Sequence, residues 1–164
     1  AMRESTMILI QNHEFTLRTF RPEDSDRLYA LLSDPEVMRH LENPYSRAAS
    51  DAFLLQAGMT IPPLVYAVEN RQGQFLGYVI YHAYDGYSME IGWVLQKCFW
   101  GRGYTGRLTD LLIRLAKEAG KDAVLECESG QLLSRRIAES HGFELAGQSG
   151  GRLVYRRSCR SNPA

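Results

Sequence analysis

Three apolar, aromatic-rich segments at 64–69, 75–82 and 88–95 constrain the fold of this chain more than any other feature. They are joined by Asn70–Gly73 and Tyr84–Gly86, short linkers that contain the glycine and polar residues typical of hairpin turns. Parallel neighbours would need crossover connections of about a dozen residues or more. The middle of the chain is therefore predicted to be an antiparallel meander of three strands.

Helices and further strands are predicted on both sides of this meander. Before it, a strand at 15–20 precedes a helix opened by Pro22, whose ring and following acids suit a first helical turn. After it, one apolar stripe at helical spacing runs through 108–119. The remaining predictions are helices at 34–41, 46–58 and 134–140 and strands at 123–128 and 153–157. This order predicts a mixed α+β domain around one central sheet.

Composition limits the classes of function. The 164 residues suit a single domain over 1–164, with about 8–158 folded and flexible ends. Lys+Arg and Asp+Glu are balanced at 19 each, which argues against nucleic-acid binding. The three cysteines are widely spaced, so neither a disulfide framework nor a metal site is expected. The N-terminal apolar run is too short for a signal peptide or a membrane span, which predicts a cytoplasmic protein without membrane contact.

Gly101, Gly103 and Gly106 spell the G-x-G-x-x-G pattern of dinucleotide-binding folds. Glu126 lies 20 residues beyond the last glycine, where a ribose-binding acid would be expected. However, Gln96–Trp100 separates the motif from its strand, an antiparallel meander precedes it, and only 58 residues follow it. A dinucleotide fold needs parallel β-α-β units on both sides. A dinucleotide-dependent oxidoreductase is therefore disfavoured.

Other interpretations of these glycines differ in whether a ligand is bound. A nucleoside-triphosphate loop is excluded because Arg107 and Leu108 stand where that motif needs Lys followed by Ser or Thr. A purely structural turn between a strand and a helix remains open. The alternative is a cradle for a bulky anion, in which free backbone N–H groups from Arg102 to Arg107 at a helix N-terminus receive a pyrophosphate without a metal.

Four segments of the chain match motifs of one enzyme family. The loop W-G-R-G-Y-T at 100–105 resembles a cofactor loop often written Q/R-x-x-G-x-G/A. The segments at 17–24 and 34–37 match an N-terminal pattern, and SRRIAESHGF at 134–143 matches S-x-x-x-x-E-x-x-G-F. In this order, over nearly the whole chain, they resemble the GNAT superfamily of N-acetyltransferases, and within it the ribosomal-protein N-terminal acetyltransferase branch.

The resemblance implies a GNAT-like domain with acetyl-CoA as its cofactor. Its sheet would be mostly antiparallel and twisted, with about six to seven strands flanked by helices and a β-α-β cofactor-binding unit. The 88–95 strand would splay from the 123–128 strand. The residues implied to bind coenzyme A are Val94, Leu95, Arg102, Gly103, Tyr104, Thr105, Gly106, Arg107 and Gln131. Within the loop, Arg102–Thr105 is expected to matter more than Gly106.

Three residues are candidates for the implied chemistry, direct attack of a primary amine on the acetyl thioester in a ternary complex. Glu90 is the first candidate for the general base, because a carboxylate is awkward in an apolar strand; the alternative is a solvent-facing acid. Glu126 is the second, and it is otherwise an exposed strand residue. Ser134 aligns with a serine proposed as the general acid in the ribosomal-protein branch, and it is also expected to be a helix N-cap.

Two departures from the family pattern leave a second function open. Gln131 stands where the family often has Asn, and Ala138 stands where many relatives have a tyrosine as general acid. A non-catalytic acyl-CoA-binding or regulatory domain is therefore the alternative. Cys127 is expected in the core rather than as an acetyl carrier. His40 and His82 could also act as bases, but histidines that stand alone on their segments are more often structural.

The acceptor pocket implied by the resemblance lies at 34–60 and 83–88. Its expected lining is aromatic and largely neutral, and comprises Met38, His40, Tyr45, Phe53, Met59, Tyr84 and Tyr87. This lining leaves the acceptor open between a protein or peptide N-terminus and a small amine or amino acid. Homodimer formation is left open as well.

Overall fold

The computed structural model describes residues 6–160. The chain divides into two compact units: the first contains the residues up to Ile80 together with Trp93–Trp100, and the second contains Tyr81–Gly92 and the residues from Gly101 onward. The single domain over 1–164 stays a prediction. Of the ends expected to be flexible, 1–5 and 161–164 lie outside the described residues.

The strands of the described part of the chain form one sheet of eight, in the order β1-β2-β3-β4-β5-β6-β8-β7. Their bounds are β1 Ile8–Gln11, β2 Phe15–Arg18, β3 Val65–Asn70, β4 Phe75–Asp85, β5 Ser88–Leu95, β6 Asp122–Cys127, β7 Glu144–Ser149 and β8 Arg152–Arg157. The pairs β1–β2, β2–β3, β3–β4, β6–β8 and β7–β8 are antiparallel, whereas β5 and β6 are parallel. The mixed, mostly antiparallel sheet is confirmed, with slightly more strands than expected. Strands β1 and β7 give weak sequence signals because β1 has four residues and β7 is exposed along its length.

Residues 6–160 contain four α-helices: α1 Ser25–Leu32, α2 Arg47–Phe53, α3 Tyr104–Glu118 and α4 Leu132–Ser140. Ser46 caps α2 as predicted, because its hydroxyl accepts a hydrogen bond of 3.1 Å from the backbone N–H of Ala49. None of the helices described within 6–160 is long and apolar enough to cross a membrane.

The prediction of a helix over 34–41 is wrong. This segment consists of turns, in which the Asp34 side chain accepts a hydrogen bond of 2.9 Å from the backbone N–H of Glu36. Val37 and Met38 are buried in the core of the first unit. Their burial, together with local turn bonds, holds the segment without a continuous helix.

The first unit has an aliphatic and aromatic core with a buried ion pair beside it. Helix α1 contributes Leu28, Leu31 and Leu32 to this core, all almost fully buried. The Arg18 guanidinium forms two hydrogen bonds with the Asp24 carboxylate, 2.8 and 2.9 Å long. Asp24 immediately precedes α1, so this pair fixes the start of the helix against β2.

The second unit contains the predicted β-α-β arrangement. Helix α3 buries one stripe, formed by Leu108, Leu111, Leu112 and Ala116, and connects β5 to the parallel strand β6. Among the described residues, the β5–β6 pairing runs from Ser88–Asp122 to Glu90–Val124 and ends there, although β6 continues to Cys127. The backbone of β5 is thus released from β6 directly after Glu90.

Candidate active site

Glu90 lies beside His82 in the second unit. Its Oε1 atom is 3.7 Å from Nε2 of His82, and the two side chains are 23% and 25% exposed. Ile91, which follows Glu90 and points to the opposite face of the sheet, is almost fully buried. The Glu90 carboxylate is thus partly withdrawn from solvent at the point where the β5–β6 pairing ends.

Glu126 forms the second half of the same cluster. Its Oε1 atom is 3.9 Å from Nε of Arg152, and its side chain is 17% exposed. The Tyr84 hydroxyl donates a hydrogen bond to the Glu126 carboxylate. Arg152 also donates a 3.3 Å hydrogen bond to the backbone carbonyl of Glu126. Glu126 is therefore a partnered, half-buried carboxylate rather than a solvated strand residue.

The electrostatics of the cluster favour a proton on Glu90. Burial is the main cause that raises the pKa of the Glu90 carboxyl above its ordinary value. A protonated His82 and Arg152 lower this pKa in part, while the negative charge of Glu126 raises it further. A carboxylate with a raised pKa accepts protons more effectively near neutral pH than an exposed one does.

The glycine loop is shaped by Gly103, which is the N-cap of α3 and has φ 77°. Only glycine adopts this left-handed conformation without strain. Arg107 donates its backbone N–H to the Gly103 carbonyl at 3.3 Å, so this amide belongs to the helix. The expectation of a free amide at Arg107 is therefore wrong. Helix α3 begins at Tyr104, so the backbone N–H groups from Gly103 to Gly106 lie at its N-terminal end and point away from the helix.

The side chain of Arg107 lies across the loop. Its Nη2 atom donates a 3.2 Å hydrogen bond to the Arg102 carbonyl, and its guanidinium lies 5.2 Å from the centre of the Tyr104 ring. A positive charge is thereby held beside the N-terminus of α3, which itself carries a partial positive charge. This part of the second unit has the properties of an anion cradle.

Helix α4 begins two residues earlier than predicted. Its N-cap is Gln131, which places Ser134 inside the first turn, so the prediction of Ser134 as N-cap is wrong. The Gln131 side-chain oxygen accepts a 2.8 Å hydrogen bond from the backbone N–H of Glu128 and closes the turn before α4. Ala138, where many relatives have tyrosine, is fully buried.

Val94 and Leu95 end β5 within the first unit. The Leu95 carbonyl accepts a 3.0 Å hydrogen bond from the Trp100 indole, which ties the following turn to the strand. The Val94 carbonyl faces Gly77 of β4 so closely that a Cβ atom at position 77 would lie 2.0 Å from it. The path of the β5 backbone at Val94 therefore depends on the missing side chain of Gly77.

Cys127 and the residues expected to line the acceptor pocket differ in their exposure: some lie in or against the core, and others lie on the surface. Cys127 is 1% exposed and burial raises the pKa of its thiol, as expected for a core cysteine. Met38 belongs to the core of the first unit, and Tyr45, Phe53 and Met59 pack against it. Tyr87 is exposed in the β4–β5 turn. Within residues 6–160, no group of three or more His, Cys, Asp or Glu residues is arranged to hold a metal ion.

Sequence reasoning missed the contribution of Arg152 and the contact of His82 with Glu90. The place of His82 in the strand before β5 was a signal for this contact. Whether the side chains of His82 and Glu90 face each other, however, depends on the register of the two strands. Arg152 gave no local signal, because its position beside Glu126 follows from the pairing of β8 with β6.

Comparisons with known proteins agree with this geometry. A family model described as an acetyltransferase (GNAT) domain matches residues 14–144. A search of curated protein sequences finds no match.

Several solved structures of similar fold are described as acetyltransferases. The acetyltransferase (GNAT family) from Bacillus anthracis has a TM-score of 0.82 at 20% identity, covering 94% of this chain and 100% of that chain. RimL, a ribosomal alpha-N-protein acetyltransferase in its apo form, has a TM-score of 0.76 at 17% identity, covering 94% and 96%. Spermidine N-acetyltransferase from Vibrio cholerae, solved with CoA and spermine, has a TM-score of 0.72 at 18% identity, covering 88% and 94%. At these identities the likeness concerns the fold.

Proposed function

The chain belongs to the GNAT acetyltransferase family, and we propose that it transfers an acetyl group from acetyl-CoA to a primary amine. The observation that carries this proposal is the half-buried Glu90 carboxylate, whose pKa is raised and which lies where the β5–β6 pairing ends. A primary amine is mostly protonated at neutral pH and must lose a proton before it attacks a carbonyl carbon. Glu90 is the group suited to accept that proton.

The N-terminus of α3 suits the pyrophosphate of coenzyme A. The first-turn amides from Gly103 to Gly106, the helix dipole and the Arg107 guanidinium together present positive potential to an anion. Gly103 adds no side chain, and the position that its Cβ would take lies 2.7 Å from Nη1 of Arg107, so the guanidinium lies directly against the loop backbone. Bound acetyl-CoA supplies the activated acetyl thioester. Val94 and Leu95 are proposed to hold its pantetheine arm by backbone groups, with Gln131 as a further contact.

The proposed acceptor is a cationic primary amine. Two carboxylates, Glu90 and Glu126, lie in one cluster with the Tyr84 hydroxyl, and oxygen acceptors of this kind bind an ammonium group. Glu90 takes the proton of the ammonium, while Glu126 and Tyr84 keep the nitrogen in place. Ser134, in the first turn of α4, stays a proposal for the general acid, whose hydroxyl gives a proton to the leaving thiolate as the C–S bond breaks. A protein N-terminus and a small amine both satisfy this chemistry.

Titration calorimetry followed by an activity panel tests this function. We expect acetyl-CoA and coenzyme A to bind, NAD not to bind, and thiol release to appear with a subset of peptides, amino acids and polyamines. Binding of acetyl-CoA without thiol release from any acceptor supports the non-catalytic alternative suggested by Ala138. Binding of NAD without acetyl-CoA binding contradicts the proposal.

A matched pair of variants tests the assignment of the base. Glu90→Gln keeps the shape of the side chain and removes the proton acceptor, so we expect kcat to fall by about 100-fold or more. Glu144→Gln is the control, because Glu144 is an exposed strand carboxylate in the same unit. Equal turnover and equal pH profiles of the two variants would exclude Glu90 as the base.

A further inference from the structure

The hydrogen bond of His82 to the backbone fixes the position of its proton. Its Nδ1 atom lies 2.9 Å from the carbonyl oxygen of Ala83. A carbonyl oxygen only accepts hydrogen bonds, so Nδ1 carries the hydrogen, and in the neutral imidazole Nε2 is then an unprotonated acceptor. This acceptor is the atom 3.7 Å from Oε1 of Glu90. The backbone therefore presents a basic nitrogen to the carboxylate.

Among the described residues, three other charged or titratable groups act on Glu90 from other strands of the sheet, and none of them suits proton removal. The Arg152 guanidinium of β8 has only N–H donors and offers no acceptor for a proton. The Tyr84 hydroxyl of β4 stays protonated, because its hydrogen bond to Glu126 and, to a smaller extent, its burial raise the pKa of this phenol. Glu126 of β6 is already engaged by Arg152 and Tyr84.

We propose that His82 removes from Glu90 the proton taken up in each turnover and releases it to solvent. The step is balanced: the O–H bond of protonated Glu90 breaks as an N–H bond forms at Nε2 of His82, and the imidazolium then loses that proton to water. The inference rests on the proposed acetyl transfer, in which Glu90 is the base. His82 acts through Glu90 and does not touch the amine, so it is a positioning residue for the proton.

Distance and exposure suit this route. A separation of 3.7 Å is longer than a hydrogen bond but closes with a small side-chain rotation, as catalytic contacts often do on substrate binding. The two side chains are almost equally exposed, His82 at 25% and Glu90 at 23%, so His82 reaches solvent and can release the proton there. An imidazole can both accept a proton at a ring nitrogen and release it again, which is what a proton relay requires.

The kinetic test uses His82→Asn, with His13→Asn as control because His13 lies exposed in the β1–β2 turn. We expect kcat to fall by about 10- to 100-fold in His82→Asn with an unchanged KM for acetyl-CoA. Added imidazole should restore part of kcat in proportion to its concentration, and His13→Asn should behave like the wild type. If His82→Asn does not fold, His82→Gln replaces it.

A second readout does not depend on turnover. A protonated His82 lowers the pKa of Glu90, so ¹³C NMR titration of the carboxyl should show a higher Glu90 pKa in His82→Asn than in His13→Asn. Full turnover of His82→Asn, or a loss that imidazole does not relieve, overturns the relay alone. Absence of turnover in the wild-type protein overturns the proposed function, and the relay with it.

Discussion

Replacing Gly77 with alanine tests how β4 shapes the backbone proposed to hold pantetheine. Gly77 has φ 147°, and the register of β4 against β3 shifts beside it, between Val68 and Glu69. A methyl carbon at position 77 would lie 2.0 Å from the Val94 oxygen and 2.9 Å from Cα of Leu95. Both contacts are with backbone, which moves only if the strands move.

These distances set the expected losses of stability and activity in Gly77→Ala. Real Cβ atoms essentially never approach another atom closer than 3.0 Å, so β4 and β5 must separate by about 1 Å near Val94. Overpacking of this kind costs roughly 1–3 kcal/mol, and a non-glycine residue at this φ costs roughly 1–3 kcal/mol more. We expect the free energy of unfolding of Gly77→Ala to fall by roughly 2–6 kcal/mol. A displacement of about 1 Å at a positioning contact also predicts a loss of about 100-fold in kcat/KM for acetyl-CoA.

Urea denaturation and steady-state kinetics measure the two effects, with Gly73→Ala as the matched control. Gly73 also has a positive φ, 78°, but no atom lies within 4 Å of the position that its Cβ would take. Backbone strain should therefore lower the free energy of unfolding of the control by only about 1–2 kcal/mol, and its kcat/KM should not change. If the two variants unfold at the same urea concentration and turn over equally fast, the argument from the Val94 contact is refuted.

Three further predictions concern the anion cradle, the buried ion pair and the base. Gly103→Ala places a left-handed alanine 2.7 Å from Nη1 of Arg107 and should weaken acetyl-CoA binding about tenfold in calorimetry. The methyl group of Gly106→Ala would make only ordinary contacts within a helix. This variant should bind acetyl-CoA normally, and its free energy of unfolding should rise by up to about 1 kcal/mol. Asp24→Asn removes the carboxylate that pairs with the buried Arg18 guanidinium. Urea denaturation should show that the free energy of unfolding falls by about 3 kcal/mol. Burial alone would raise the pKa of Asp24, but hydrogen bonds from Arg18 and from the backbone outweigh it and lower this pKa below 3.8. The ion pair therefore stabilises the fold above that pH and ceases to do so as the pH falls through the lowered value, so the difference between wild type and variant should vanish in acid. The pKa of Glu90 is raised instead, mainly by burial, so its protonated form stabilises the fold below 4.5 and this contribution is lost as the pH rises through the raised value. Glu90→Gln should therefore unfold at higher urea concentration than wild type at pH 8 and at an equal one at pH 4; a less stable variant at pH 8 contradicts the raised pKa.

Local sequence patterns were sufficient to predict most of the helices and strands. The stripe through 108–119 predicts α3, and β5 begins and ends where the apolar segment at 88–95 does. Such elements are readable because hydrophobic spacing of 3.6 or 2 residues is a property of neighbouring residues along the chain. The helix expected at 34–41 fails for the complementary reason: Val37 and Met38 are held by core packing that the local spacing does not reveal.

Local patterns in the chain identify the kind of site: a glycine loop at the N-terminus of a strong helix, and a carboxylate in an apolar strand that leads into it. Which groups surround that carboxylate follows from the tertiary fold. The contact of Glu90 with His82 and that of Glu126 with Arg152 both depend on which strands pair and in which register. Strand pairing joins residues far apart in the chain, and a register shift of one residue would turn every side chain to the other face. The pKa of Glu90 is raised by the burial and charges that this pairing creates, and no local pattern encodes them.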